Sequence, residues 1–211
     1  GEIQKHLLQE ACVLTSPNGA LAKPEFCLQP SDAWRELLET PGRPPAALGN
    51  DFEFAHSAIA PCFADILNQI GVADLQAEDI LACLRDTAWL EARTDEWFFR
   101  LFRELSCLEA NTLEDVKIIP AVVLGHKNRE ILACTDHPVY FRPDKDGAKA
   151  LRAIPAWLRK AKPVAFLPKP LQRLIDECDD HEKLREWITE GLGVYPFTPG
   201  KYCVDVLDYL Q

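Results

Sequence analysis

Two short strings 122 residues apart end in the same way, and no other feature constrains the fold as much. Ile66-Leu67-Asn68-Gln69-Ile70-Gly71-Val72 is echoed by Trp187-Ile188-Thr189-Glu190-Gly191-Leu192-Gly193-Val194. Each is followed within a few residues by an apolar position (Leu75, Phe197) and then by the start of an amphipathic helix. Upstream of each lies a strand–turn–strand pattern, at 12–22 and at 116–134. An apolar–Gly–Val ending is also an ordinary way to stop a helix, so the agreement in element order is what argues for an internal repeat. The order runs hairpin, helices with a Gly-Val stop, aromatic helix, hairpin, helices with a Gly-Val stop. The expected fold is therefore α+β, mostly helical with short antiparallel hairpins, in two related hairpin-plus-helix units. The first is placed at 1–110. The second is placed at 111–211 and contains a hairpin, a basic segment and a truncated helical unit.

Local signals fill in this order. Cys12-Val13-Leu14-Thr15 meets Ser16-Pro17-Asn18-Gly19, where proline pre-sets φ and glycine accepts positive φ, so a hairpin is predicted with Ala20-Leu21-Ala22. Ser31 is a predicted N-cap, with Trp34, Leu37 and Leu38 on one helix face, and Pro41-Gly42 stops that helix before a loop at 43–50. Residues 52–108 read as helical almost throughout. Ile59, Phe63, Ile66, Leu67 and Ile70 keep helical spacing, Pro61 predicts a kink, and a further short helix is expected over Ala77 to Leu84. Thr94 caps a helix whose Trp97, Phe98, Leu101, Phe102 and Leu105 form a heavy stripe, core or partner interface. Short extended pieces follow at Val116 to Val123, Ile131 to Cys134, Pro138 to Phe141 and Val164 to Leu167. Helices are expected around 155–161, over Leu171 to Cys178, over Glu182 to Glu190 with Gly191 as the stop, and from Thr198-Pro199 to Leu210.

Charge is uneven. The net charge of −10 argues against a general polyanion binder, and all of it sits in residues 1–110, because 111–211 balances 15 Lys and Arg against 15 Asp and Glu. Within that half, Arg142, Lys145, Lys149, Arg152, Arg159, Lys160, Lys162, Lys169 and Arg173 are opposed only by Asp144 and Asp146. Such a stretch is either a solvated face or a docking surface for phosphate or an acidic partner. The eight cysteines include no Cys-x-x-Cys pair, and most lie in apolar strings such as Leu81-Ala82-Cys83-Leu84 and Ile131-Leu132-Ala133-Cys134. They are expected to be reduced, small core residues of a soluble, cytoplasmic protein. The sequence contains no apolar run of the roughly 18 residues that a membrane span needs. It has no Met at all, so Gly1 is expected not to be the natural start.

Catalytic patterns are weak. Two Cys-x-x-His pairs, Cys134/His137 and Cys178/His181, supply the four ligands that tetrahedral zinc needs. Zinc sites more often use Cys-x-x-Cys, and burial alone accounts for Cys134, so the expected cofactor is none. The acidic run Asp176 to Glu182 reads as an exposed helix end, and Gly191-x-Gly193 lacks the third glycine of a dinucleotide fingerprint. No enzymatic activity is expected.

The string from Ile66 to Leu84, the helix Glu96 to Leu105 and the hairpin-plus-proline segments resemble a region of sacsin, of the plant protein No Vein and of related multidomain proteins, behind their ATPase module. The resemblance covers most of the chain through apolar spacing and a few glycines. In that family the ATPase is of the GHKL type, and neither its Asn-bearing helix nor its Asp-x-Gly-x-Gly loop is present here. The resemblance implies a non-catalytic interaction or scaffolding module excised from a larger chaperone-like, ATPase-bearing chain. Its partner would be a protein or another domain of the same chain. Its candidate surfaces are the basic stretch and any exposed part of Trp97, Phe98 and Phe102. The alternative is a regulatory or nucleic-acid-contacting module of a defence- or restriction-type multidomain protein, although nucleic acid is disfavoured by the charge. A membrane partner is not expected.

Overall fold

The structure, a computed structural model, describes residues 12–16, 19–38, 53–107, 113, 115–143, 149, 151 and 154–209. The turn residues Pro17 and Asn18, the stop at Pro41-Gly42 with its following loop, Lys145, Arg152 and Leu210 lie outside the described residues. The chain divides into two compact units, Gly1–Trp89 and Leu90–Gln211. The division falls earlier than residue 110, so the aromatic helix belongs with the second unit.

The first unit contains β1 (Val13–Ser16), β2 (Leu21–Ala22), β3 (Cys27–Gln29), α1 (Asp32–Leu38), β4 (Glu53–Ala55), α2 (Ala60–Gln69), β5 (Ala73–Asp74) and α3 (Ala77–Cys83). Helix α4 (Thr87–Glu91) runs across the division. The second unit contains α5 (Asp95–Ser106), β6 (Ile119–Val123), β7 (Arg129–Leu132), β8 (Val139–Phe141), α6 (Ala156–Ala161), β9 (Ala165–Phe166), α7 (Lys169–Glu177), α8 (His181–Leu192), β10 (Tyr195–Pro196) and α9 (Pro199–Tyr209). The α+β class expected from the sequence is what forms.

The sheets have the same topology. The first is ordered β2-β1-β4-β3-β5 and the second β7-β6-β9-β8-β10. In each, the hairpin is antiparallel and its first strand pairs antiparallel with the fourth strand. The third strand then pairs parallel with both the fourth and the fifth. This adds to the expected hairpins, because three strands of every sheet are parallel and need helical crossovers. Strands β4 and β5 also interrupt the stretch expected to be helical. Sequence periodicity misses them because two or three residues span barely one alternation.

The duplication extends to positions. Val72 and Val194, Ile80 and Tyr202, and Leu84 and Val206 are each 122 residues apart, and all six are buried. Among the described residues the four positive-φ glycines also fall into matched places, Gly19 and Gly125 after the first hairpin strand, Gly71 and Gly193 before the fifth strand. Helix α8 passes through Gly191 and ends at Gly193, whose φ of 73° is the left-handed cap. The expected stop was therefore two residues early. Gly191 is helical, and a Cβ there would lie 3.3 Å from the Trp187 ring.

Alternation along β8 builds the layers of the second unit. Tyr140 faces one side, in a cluster with Ile154 and Leu158 next to and on α6, Val164, Phe166, Phe197, and Tyr202 and Val206 on α9. The Tyr202 hydroxyl, in turn, donates to the Lys162 carbonyl. Phe141 faces the other side, where the Arg185 guanidinium of α8 lies 4.4 Å from its ring centroid. There α5, α7 and α8 pack together, with Phe102 of α5 against Trp187 at 6.3 Å. Trp97, Phe98 and Phe102 are buried, so the aromatic stripe is core. Thr94 caps α5 as expected, its Oγ1 accepting the Trp97 N–H at 3.2 Å. In the first unit Val13, Cys27, Ala55, Leu67 and Val72 form one core cluster. Phe63 and Ile66 are about half exposed, against expectation, since α2 departs from helical geometry at Phe63, just after Pro61. No helix among the described residues is long and apolar enough to cross a membrane.

Two substitutions test this packing. Gly193→Ala forces a side chain into left-handed backbone and is expected to cost about 1–2 kcal/mol in urea unfolding. An unchanged midpoint would refute the cap. Phe98→Ala empties a site touching Trp97 and Phe102, and a loss of about 3–5 kcal/mol is expected.

Candidate functional site

A well-formed recess in the second unit lies beyond the carboxyl ends of its parallel strands. It has a volume of about 640 Å³ and is lined by Phe141, Arg142, Pro143, Lys169, Gln172, Arg173, Asp176, Arg185, Pro196 and Phe197. That is the size range of a small-ligand or peptide side-chain pocket. Each strand delivers one part. Arg142 follows the last residue of β8, Lys169 opens α7 after β9, and Phe197 follows β10.

The cations are held by specific bonds. Arg142 donates through Nε to the Leu167 carbonyl at 2.8 Å, and its guanidinium carbon lies 5.7 Å from the Phe166 ring centroid. Its main chain is gripped by one side chain, because the Arg142 N–H donates to Gln172 Oε1 at 2.6 Å and Gln172 Nε2 donates to the Arg142 carbonyl at 3.3 Å. Burial pulls the Arg142 pKa below its ordinary value, yet an arginine stays charged at neutral pH. Arg185 donates to Asp176 Oδ1 at 2.5 Å, and Arg173 pairs with Glu177 at 3.2 Å. No carboxylate pairs with Arg142 or Lys169 among the described residues. Among the described residues, the cleft thus combines two cations paired with carboxylates and two that are not, around an apolar floor.

The sequence-derived basic stretch divides. Arg142, Lys169 and Arg173 meet in the cleft. Arg159 and Lys160 are on α6, across the sheet, and Lys149 is exposed. Lys162 is not a surface residue, being buried with Nζ donating to the Asp136 carbonyl at 2.6 Å. Its long apolar stem makes that burial inexpensive. Arg185 is the cleft residue that the basic stretch left out, since it lies in α8 among Glu182 and Glu186.

The zinc candidates stay in two places. Cys134 and His137 follow β7, with His137 Nδ1 3.2 Å from the Pro138 carbonyl. Cys178 ends α7, with Sγ donating to the Ile175 carbonyl, and His181 opens α8. No group of three or more His, Cys, Asp or Glu placed to hold a metal occurs among the described residues. All eight cysteines are free, although only Cys27 and Cys83 are buried, which narrows the expected core role. Burial pushes the Cys27 thiol up to about 11 and the Cys83 thiol up to about 12, so neither is a thiolate nucleophile at neutral pH.

A smaller recess of about 370 Å³ includes Cys134, Tyr195, Lys201 and Asp205. Asp205 accepts from the Tyr140 hydroxyl at 2.6 Å and pairs with Lys201 at 2.7 Å. That network ties α9 to β8. No protein-family model matches the chain, and no curated protein or solved structure matches it either.

The His137 environment has a pH consequence. Burial lowers its pKa below 6.5, so the unfolded chain binds more protons than the folded one as pH falls through 6.5. His137 therefore subtracts no stability above about pH 6.5 and increasingly subtracts it below, down to its folded value. Replacing it with Asn is expected to flatten the unfolding free energy between pH 6.5 and 5. A slope unchanged from the parent would sink the assignment.

Proposed function

We propose that the chain is a non-catalytic protein-interaction or scaffolding module of a larger, chaperone-like, ATPase-bearing protein, working in the cytoplasm. The observation that carries this reading is the cleft at the carboxyl ends of β8, β9 and β10. It presents charge and apolar surface together, while Asp176, the carboxylate among its described lining residues, is spent on Arg185. Among the described residues that line it there is no serine, cysteine or histidine, so these offer no such nucleophile beside a base. Recognition is what such a lining does well. The sacsin-like resemblance supplies the larger context, in which the partner is a protein or another domain of the same chain.

The alternative, a nucleic-acid-contacting module, has less support. A chain of net charge −10 repels polyphosphate at a distance, and Asp176 sits among the cations that a phosphate would need.

The reading is tested by sequencing the parent gene through both flanks. An open reading frame that continues into a GHKL-type ATPase module is the expected result. A frame without one removes the chaperone-like context. In the isolated chain, ATP hydrolysis above a buffer blank would overturn the non-catalytic assignment.

A further inference from the structure

We propose that the cleft of the second unit binds an acidic peptide segment, whose carboxylates go to Arg142 and Lys169 while an adjacent apolar side chain lies against Pro143 and Pro196, the accessible apolar residues of its lining. This rests on the interaction-module reading and names the chemistry of the partner.

Its position follows from the topology. Strands β8 and β9 are adjacent and parallel. The chain leaving β8 proceeds to α6, on the Tyr140 face, whereas the chain leaving β9 proceeds to α7, on the Phe141 face. Where neighbouring parallel strands send their continuations to opposite faces, the main chain parts beyond the carboxyl ends. Ligand sites of parallel sheets collect in that crevice.

The charge there is not a requirement of the fold. The first unit has the same sheet, and its third strand is followed by Pro30 where β8 is followed by Arg142. Helix α2, which joins the fourth and fifth strands, contains no Lys or Arg and does contain Asp65. Between the equivalent strands of the second unit, α7 and α8 contribute Lys169, Arg173 and Arg185. The first unit does hold Arg35 of α1 at that edge, buried and donating to the Ala55 carbonyl at 2.6 Å, so among the described residues the two edges differ in that the second gathers Arg142, Lys169, Arg173 and Arg185 around an open cleft.

The geometry favours carboxylates over phosphate. Backbone N–H groups at a helix start commonly hold phosphate, but α7 begins Pro168-Lys169-Pro170, and neither proline has an N–H to give. Anion binding falls to side chains. The Arg142 fork is fixed through Nε, with its guanidinium carbon 5.7 Å from the Phe166 ring centroid, which suits it to a planar carboxylate. Partial burial of that guanidinium strengthens whatever ion pair it makes. The apolar floor beside it favours an acidic segment that also carries a hydrophobic residue.

The test uses fluorescence anisotropy on the whole chain with three labelled octapeptides, alternating Glu with Leu, Lys with Leu, and Glu with Ser. The Glu-Leu probe is expected to bind about tenfold tighter than either other probe. The double variant Lys169→Glu, Arg173→Glu is expected to weaken it by about tenfold or more, and Arg142→Ala by about tenfold. Lys160→Glu, on α6 across the sheet, is expected to leave it within about twofold. Circular dichroism and thermal melting check that each variant folds. Because Arg142 also supports the Leu167 carbonyl, the exposed Lys169 and Arg173 pair decides the matter if Arg142→Ala does not fold. Equal binding of the Glu-Leu and Lys-Leu probes, or insensitivity to the double charge reversal, overturns the proposal. So does displacement by inorganic pyrophosphate at lower concentration than by unlabelled peptide. Tight binding of a single-stranded oligonucleotide with steep salt dependence also overturns it. Peptide binding is read on this chain alone, so its failure is distinguishable from failure of the proposed function, which the flanking gene sequence decides.

Discussion

The second unit turns on a three-residue strand buried on both faces. Val139, Tyr140 and Phe141 are each almost wholly inaccessible, and β8 has a parallel partner on either side. Because successive side chains point in opposite directions, Tyr140 gathers α6 and α9 while Phe141 underlies α8. The next residue, Arg142, leaves the sheet at the point where the helices part. A one-residue slip of β8 would exchange the two layers and move the guanidinium off the cleft. Fold and site are specified by the same few bonds.

Local signals were legible in the sequence. Thr94 and Thr198 cap helices as their positions suggest, Thr198 Oγ1 accepting the Lys201 N–H at 3.1 Å, because a cap is decided within four residues. The duplication was legible through the spacing of Gly71 and Gly193 and of the valines after them. Non-local pairing was not. Strands β3, β4, β5 and β10 run for two or three residues, too short to carry a period, and are strands only because partners from elsewhere in the chain complete them. Gly191 and Gly193 look equally able to stop a helix, and only their backbone angles tell them apart. The cleft was half legible. Three of its cations lie in a visibly basic stretch, whereas Arg185 is diluted by neighbouring acids and Lys162, from the same stretch, is buried.

The two units show how far one topology can diverge. Both place a buried valine after a left-handed glycine and both close with a helix packed through positions 122 residues apart. They differ where the fold leaves freedom. In the second unit α7 and α8 share a layer with α5, while in the first Phe63 and Ile66 of α2 keep about half their surface. The carboxyl edges differ as well, the first holding Arg35 buried against the Ala55 carbonyl and the second gathering four cations at an open cleft. Function resides in sites grafted onto a scaffold, and a duplicated scaffold lets one copy keep the architecture while the other acquires the chemistry.

Gln172 holds the loop after β8 through the main chain of residue 142, offering an acceptor to its N–H and a donor to its carbonyl. Such a bracket does not depend on which side chain the gripped residue carries. The backbone after β8 is therefore tied to α7 independently of the side chain at 142, and the Arg142 guanidinium adds a second tie of its own to the Leu167 carbonyl. A different residue at 142 would give up the bond to Leu167 yet leave the exit of β8 fastened to the helix that follows β9, so one side chain of α7 sets where the main chain parts whatever the loop presents.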